Sequence, residues 1–97
     1  MTTEIIKKKI VPILKRRGVL KAAVFGSAAR GKMTKKSDVD LLLEISQNKT
    51  LFDIIKLKLE LEEKLKRSVD IVEYSAIHPL IKNQVLKEQK NIYEKRP

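Results

Sequence analysis

Cysteine is absent from this 97-residue chain, which excludes disulfides, thiolate metal sites, iron–sulfur clusters and cysteine nucleophiles together. Histidine occurs once, at His78, too few for a zinc site in a chain without cysteine. Tryptophan is also absent, and Tyr74 and Tyr93 are too few and too far apart for a platform on which nucleic-acid bases could stack. Sequence-specific binding of nucleic acid is therefore not expected. No apolar run approaches the ~18 residues of a membrane-spanning helix, so no membrane role is expected. Met1–Lys9 lacks the apolar stretch and small residues of a cleavable signal, and the expected location is the cytoplasm. Hard chemistry in this chain must run on carboxylates, hydroxyls, lysines and backbone amides.

What is present suits one folded domain spanning 1–97. Domains run from ~50 to 250 residues, and a chain this short closes one core. Its hydrophobic share of 42% is that of a globular protein. The net charge is +10, and it is lopsided. Residues 1–37 carry eleven Lys/Arg against Glu4 alone, whereas from Asp38 onward eleven basic residues meet eleven acidic ones. A Lys/Glu/Ile-rich thermophilic composition explains many lysines but not their concentration in one part of the chain. An anionic partner explains both.

Local patterns then set the elements. Thr3 is read as the cap of a helix running to about Arg17, with Ile6, Ile10, Ile13 and Leu14 at helical spacing. Pro12 should kink or restart it, and Gly18 suits the left-handed position after it. Val19–Phe25, between two glycines, reads as a buried strand, and Val39–Ile45 as a second. Leu51–Lys66 alternates with strand period, but its length, its Leu, Lys and Glu content and a Thr50/Asp53 capping box favour helix. Ser68–Tyr74 reads as a third strand, Pro79–Gln89 as a helix entered through His78, and Asn91–Glu94 as a short edge strand. A parallel crossover needs a dozen or more residues. The hop from Gly31 to Ser37 is shorter, so the expected fold class is α+β, a small mixed sheet with helices packed against it.

Gly26–Lys32 reads GSAARGK, one residue short of a phosphate-binding P-loop. That motif continues with Ser or Thr and opens a helix; here Met33 follows and 33–37 shows no apolar period. What remains is a small-residue turn after a strand. Gly26 permits close backbone approach, Ser27 adds a hydroxyl, a short helix begun at Ala28–Arg30 would offer free N–H groups, and Arg30 can fork onto phosphate oxygens. A plain structural turn accounts for this fragment equally well.

Asp38-Val39-Asp40 places two carboxylates on one face of a strand, their Cα atoms ~6.6 Å apart. Beside three leucines they repel unless cations intervene, and Mg²⁺ favours such oxygen ligands together with substrate phosphates. Taken alone, the pair also suits a solvated strand start. Asp70, on the third strand, alters that balance: if this strand neighbours the second, three carboxylates converge opposite the Gly26–Ser27 turn.

Gly26-Ser27, ten intervening residues and Asp38-x-Asp40, with Ala29-Arg30-Gly31 after the turn and Ser37-Asp38-Val39-Asp40-Leu41 on the strand, resemble the signature of the nucleotidyltransferase (DNA polymerase beta-like) superfamily. The small size resembles the minimal nucleotidyltransferases (MNT) that act as antitoxins beside HEPN-type ribonuclease toxins. The resemblance implies a nucleotidyltransferase fold, with Asp38, Asp40 and Asp70 as catalytic residues and ligands of Mg²⁺, two ions being expected. It implies ATP as substrate, with Gly26, Ser27 and Arg30 at its phosphates. It implies transfer of AMP to a tyrosine hydroxyl of a HEPN-type toxin. An antitoxin acting by binding alone, or a transferase acting on RNA or a small-molecule hydroxyl, are the alternatives. The second domain with which larger relatives hold base or acceptor is missing, which suggests that a partner completes the site.

Overall fold

The computed structural model describes residues 1–31 and 37–95. Helix α1 spans Thr3–Arg16, strand β1 Lys21–Phe25, strand β2 Val39–Glu44 and helix α2 Leu51–Leu65. Strand β3 spans Val69–Glu73, a single 3₁₀ turn Tyr74–Ala76, helix α3 Pro79–Glu88 and strand β4 Lys90–Glu94. The four strands form one sheet in the order β3-β2-β1-β4. β1 pairs antiparallel with β2 and β4, while β2 and β3 run parallel. The expected α+β class with a mixed sheet is what forms. The short hop after β1 returns as an antiparallel neighbour, and the parallel pair is joined through α2.

Alternation along β2 divides the molecule into two sides. Val39, Leu41 and Leu43 join Ala22, Val24 and Val69 in the main core, where Ile6, Ile10 and Leu14 of α1 and Leu57, Leu61 and Leu65 of α2 cover them. Leu42 and Ala23 face the other way, into a smaller cluster closed by Ile77, with Phe25, Val72 and Val85 packed against it. Both long helices therefore lie on one side of the sheet. Among the described residues the other side is covered by the 3₁₀ turn and α3, a helix without buried residues. That thin cover leaves one end of the second side open, and the acidic residues lie there.

Several element ends differ from expectation. Thr2, not Thr3, caps α1, its hydroxyl accepting from the Ile5 amide at 3.2 Å. Pro12 does not restart the helix, which runs through it unbroken from Thr3 to Arg16. Its ring and Lys8 both line an open groove, where solvent can take the carbonyl that proline leaves without a donor. Gly18 does take the left-handed conformation, at φ +73°. The Thr50/Asp53 capping box forms in both directions and fixes α2 as a helix despite its strand-like alternation. His78 caps α3, its Nδ1 accepting from the Leu80 amide at 3.1 Å, and β4 is the expected edge strand.

Candidate active site

β1 ends at Phe25, which pairs with Asp40 of β2, and the chain turns away at Gly26 with φ +68°. Only glycine enters that region freely. The turn is pinned from below. Ala28 and Ala29 are buried in the main core, and the Thr3 hydroxyl donates to the Ala28 carbonyl at 3.4 Å. The Arg30 amide closes the turn on the Gly26 carbonyl at 3.1 Å. The two adjacent alanines of Gly26–Arg30 are thus anchored inward, and Arg30 is left exposed. The short helix considered at Ala28–Arg30 does not begin there, and the segment is a turn. The reading of 33–37 as lacking helical period falls mainly on residues 32–36, outside the described ones.

Asp38 immediately precedes β2, and Asp40 is its second residue. In the parallel pair, Asp40 stands opposite Asp70. Neighbouring strands lie about 4.8 Å apart, so residues in register present their side chains side by side. Several contacts outside the carboxylates hold that register. The Val39 amide donates to the Ser68 carbonyl at 2.9 Å, the Arg67 guanidinium to the Ser37 carbonyl at 3.2 Å, and the Val69 amide to Glu62 Oε2 at 2.9 Å. The end of α2 is thereby tied to the starts of both acidic strands.

Electrostatics follow from this placement. Partial burial raises the Asp40 carboxyl above the usual carboxylate range, and the charges of Asp70 and Asp38 raise it further. Hydrogen bonding with Asp70 adds to the shift, while Arg30 opposes it. Asp40 therefore senses Asp70, Asp38 and Arg30. The turn and the acids also meet closely, because a β-carbon at Gly26 would lie 2.6 Å from Asp40 Oδ2. Thus the turn, Asp40 and Asp70 assemble at one end of the sheet. Among the described residues, no three acidic or histidine side chains are arranged, as they stand, to hold an ion. The donor set nonetheless suits a hard cation: carboxylate oxygens whose mutual repulsion a cation would relieve.

One neighbour was invisible in the sequence. Glu88, at the end of α3, lies 3.9 Å from an Arg30 guanidinium nitrogen. No local motif connects residues that far apart in the chain, and only the fold reveals the pair.

The Gly26 turn thus lies against Asp40, with Asp38 just before the same strand and Asp70 in register on the parallel neighbour. Residues 8–97 match the family model described as polymerase beta, nucleotidyltransferase, and the chain belongs to that family. MJ0435 of Methanocaldococcus jannaschii, provisionally named a protein adenylyltransferase, is 48% identical over 83 residues, covering 86% of this chain and 89% of that protein. The protein adenylyltransferase MntA of Thermococcus cleftensis is 38% identical over 73 residues, covering 75% and 74%. A solved structure provisionally described as a minimal nucleotidyltransferase aligns with a TM-score of 0.80 at 36% identity, over 93% of this chain and 95% of that one. A complex of tri-AMPylated Shewanella oneidensis HEPN toxin with MNT antitoxin holds a chain of the same fold. Its TM-score is 0.71 at 18% identity, over 95% of this chain and 72% of that one. No helix among the described residues is long and apolar enough to cross a membrane.

Proposed function

We propose that this chain is a Mg²⁺-dependent protein adenylyltransferase of the cytoplasm, transferring AMP from ATP to a tyrosine hydroxyl of a HEPN-type toxin and so acting as its antitoxin. The observation that carries the reading is the register of Asp40 with Asp70, with Asp38 immediately before the Asp40 strand and the Gly26–Ser27 turn against Asp40. The names of relatives at 48% and 38% identity support the reaction. The tri-AMPylated toxin bound to an antitoxin of this fold supports the acceptor.

Asp38, Asp40 and Asp70 would hold Mg²⁺, two ions being expected. When bound, the metal neutralises phosphate charge and orients the attacking and leaving oxygens. The chain's own groups do the rest. The Gly26 and Ser27 amides, the Ser27 hydroxyl and Arg30 bind the β- and γ-phosphates through charge-assisted hydrogen bonds. Asp70, more exposed than Asp40, accepts the proton of the acceptor hydroxyl. The hydroxyl oxygen bonds to the α-phosphorus, the bond from that phosphorus to the bridging oxygen breaks, and pyrophosphate leaves with the electron pair. AMP ends on the acceptor and the proton on Asp70.

The test incubates the chain with ATP, Mg²⁺ and a HEPN-type partner, then separates the proteins. Added AMP on a partner tyrosine, with the partner still inactive after separation, is the expected result. An unmodified partner that regains activity on separation would mean inhibition by binding alone.

A further inference from the structure

On the side of the sheet away from the acids, α1 and α2 leave between them a groove of about 850 Å³. Pro12 and Ile13 lie in it, and Lys8, Lys9, Lys64 and Lys66 line it. Two glutamates share the groove, but Glu60 is already bound by Arg16 and Arg17, leaving Glu63 against four ammonium groups. Lys66 also takes a left-handed backbone, φ 57°, where glycine would be unstrained.

A second feature adjoins this groove. Phe52, Ile55 and Leu59 of α2 are 75%, 44% and 59% exposed, and Leu51 beside them is 71% exposed. Their spacing puts them on one helical face, turned away from buried Leu57, Leu61 and Leu65. Leu59 and Glu63 lie one turn apart, so this apolar stripe runs into the cationic groove. An exposed apolar patch rimmed by charge marks an interaction surface.

We propose that this composite surface docks an acidic amphipathic helix of a partner protein. The helix would lay leucine-like side chains on Ile55 and Leu59 and its carboxylates against Lys8, Lys9, Lys64 and Lys66. Both halves of the surface select this occupant. A phosphodiester backbone would use the lysines but gain nothing from the stripe, and no aromatic residue lines the groove for stacking. A second copy would use the stripe but set two cationic grooves together, in a chain whose net charge is already +10. Helix-in-groove binding uses apolar anchors at helical spacing with charges along their flanks. The inference is independent of the transfer reaction, because the surface lies on the opposite side of the sheet from Asp40.

The probe is a fluorescent peptide of about 20 residues, leucines at helical spacing and glutamates elsewhere. Its controls are a scrambled peptide of the same composition and an oligouridine of similar length. Anisotropy with the full chain should show the patterned peptide binding at least about tenfold tighter than either control. Leu59→Gln, and separately Lys8→Glu with Lys64→Glu, should each weaken that binding roughly fivefold or more, while ATP binding and the circular-dichroism melt stay unchanged. Equal binding of the scrambled peptide, or of RNA insensitive to Leu59→Gln, would overturn the proposal in favour of a general polyanion surface. A dimer in sedimentation that Leu59→Gln dissociates, with no peptide binding, would overturn it in favour of a second copy.

Discussion

Gly26 and Asp40 are so close that a β-carbon on the first would stand 2.6 Å from Oδ2 of the second. The turn that would receive phosphate and the acid that would hold metal are thus one packed unit. Backbone and side chain both require glycine there, since φ is +68°.

Gly26→Ala should therefore cost about 1–3 kcal/mol of stability and displace Asp40, with transfer falling by about 10²-fold or more. Gly31→Ala is the matched control. It has a similar φ of +69°, but a β-carbon there meets none of the described residues within 4 Å, so the backbone strain is what it tests. Urea unfolding and ATP-dependent labelling of the two variants separate strain from collision. Equal losses of activity would overturn the packed-unit account.

Asp40→Asn should remove transfer while stabilising the protein at neutral pH. The folded-state carboxyl is raised above its unfolded value by burial, Asp70 and Asp38. A carboxyl raised in this way is harmless below the ordinary carboxylate range. It becomes a penalty as pH rises through its folded value, because the folded state must then release a proton it holds more tightly than the unfolded state does. Asparagine keeps the shape and removes the charge. The expected outcome is a higher Tm than wild type at pH 7, a smaller difference near pH 3, and a rate lower by about 10³-fold or more. A Tm lower than wild type at pH 7 would contradict the repulsion.

The legible and the illegible parts of this fold differ in range. Leu51–Lys66 was resolvable because a capping box and helix-forming residues outweigh a strand-like alternation, and all of these are local. The pairing of Asp40 with Asp70 was only conditional in the sequence. Spacing puts Asp38 and Asp40 on one face, but nothing near Asp70 states which strand it joins; that depends on α2 packing over the sheet and on Arg67 and Glu62 tying the strand starts. Thr2 and Thr3 are chemically equivalent candidates for one cap, so the one-residue error there reflects real degeneracy. Pro12 lies inside one continuous helix, so of the two expectations for it the restart is excluded.

The helix layer offers a cleaner pH test. Glu60 accepts from Arg17 Nε at 2.9 Å and is paired with Arg16, and these contacts hold its carboxyl below the usual range. A depressed folded value contributes stability that is present above the unfolded value and lost as pH falls through the folded one. Wild type should lose Tm on acidification from about pH 5 to pH 3 more steeply than Glu60→Gln. At neutral pH the substitution should cost little, and less in high salt, because the pair lies near the surface. Identical Tm profiles for the two proteins would mean that the pair contributes nothing.

Arg30 stands between two claims on its guanidinium. Its amide closes the Gly26 turn, its side chain lies 3.9 Å from Glu88, and its charge is felt at Asp40. If Arg30 binds the β- or γ-phosphate, it must leave Glu88, and the ion pair then acts as a competitor for nucleotide. Both partners are about half exposed, so the competition is worth no more than the ~0.2–1 kcal/mol of a typical surface pair, about 1.4- to fivefold in affinity. Glu88→Gln should accordingly tighten ATP binding by about that factor at low salt, and the gain should shrink as salt screens the pair. Arg30→Ala should weaken ATP binding by about tenfold or more, and Glu88→Gln added to it should have no further effect. Calorimetric titration of the four proteins with ATP completes the cycle. A gain from Glu88→Gln that persists in the Arg30→Ala background would show that Glu88 acts on the nucleotide directly and not through Arg30.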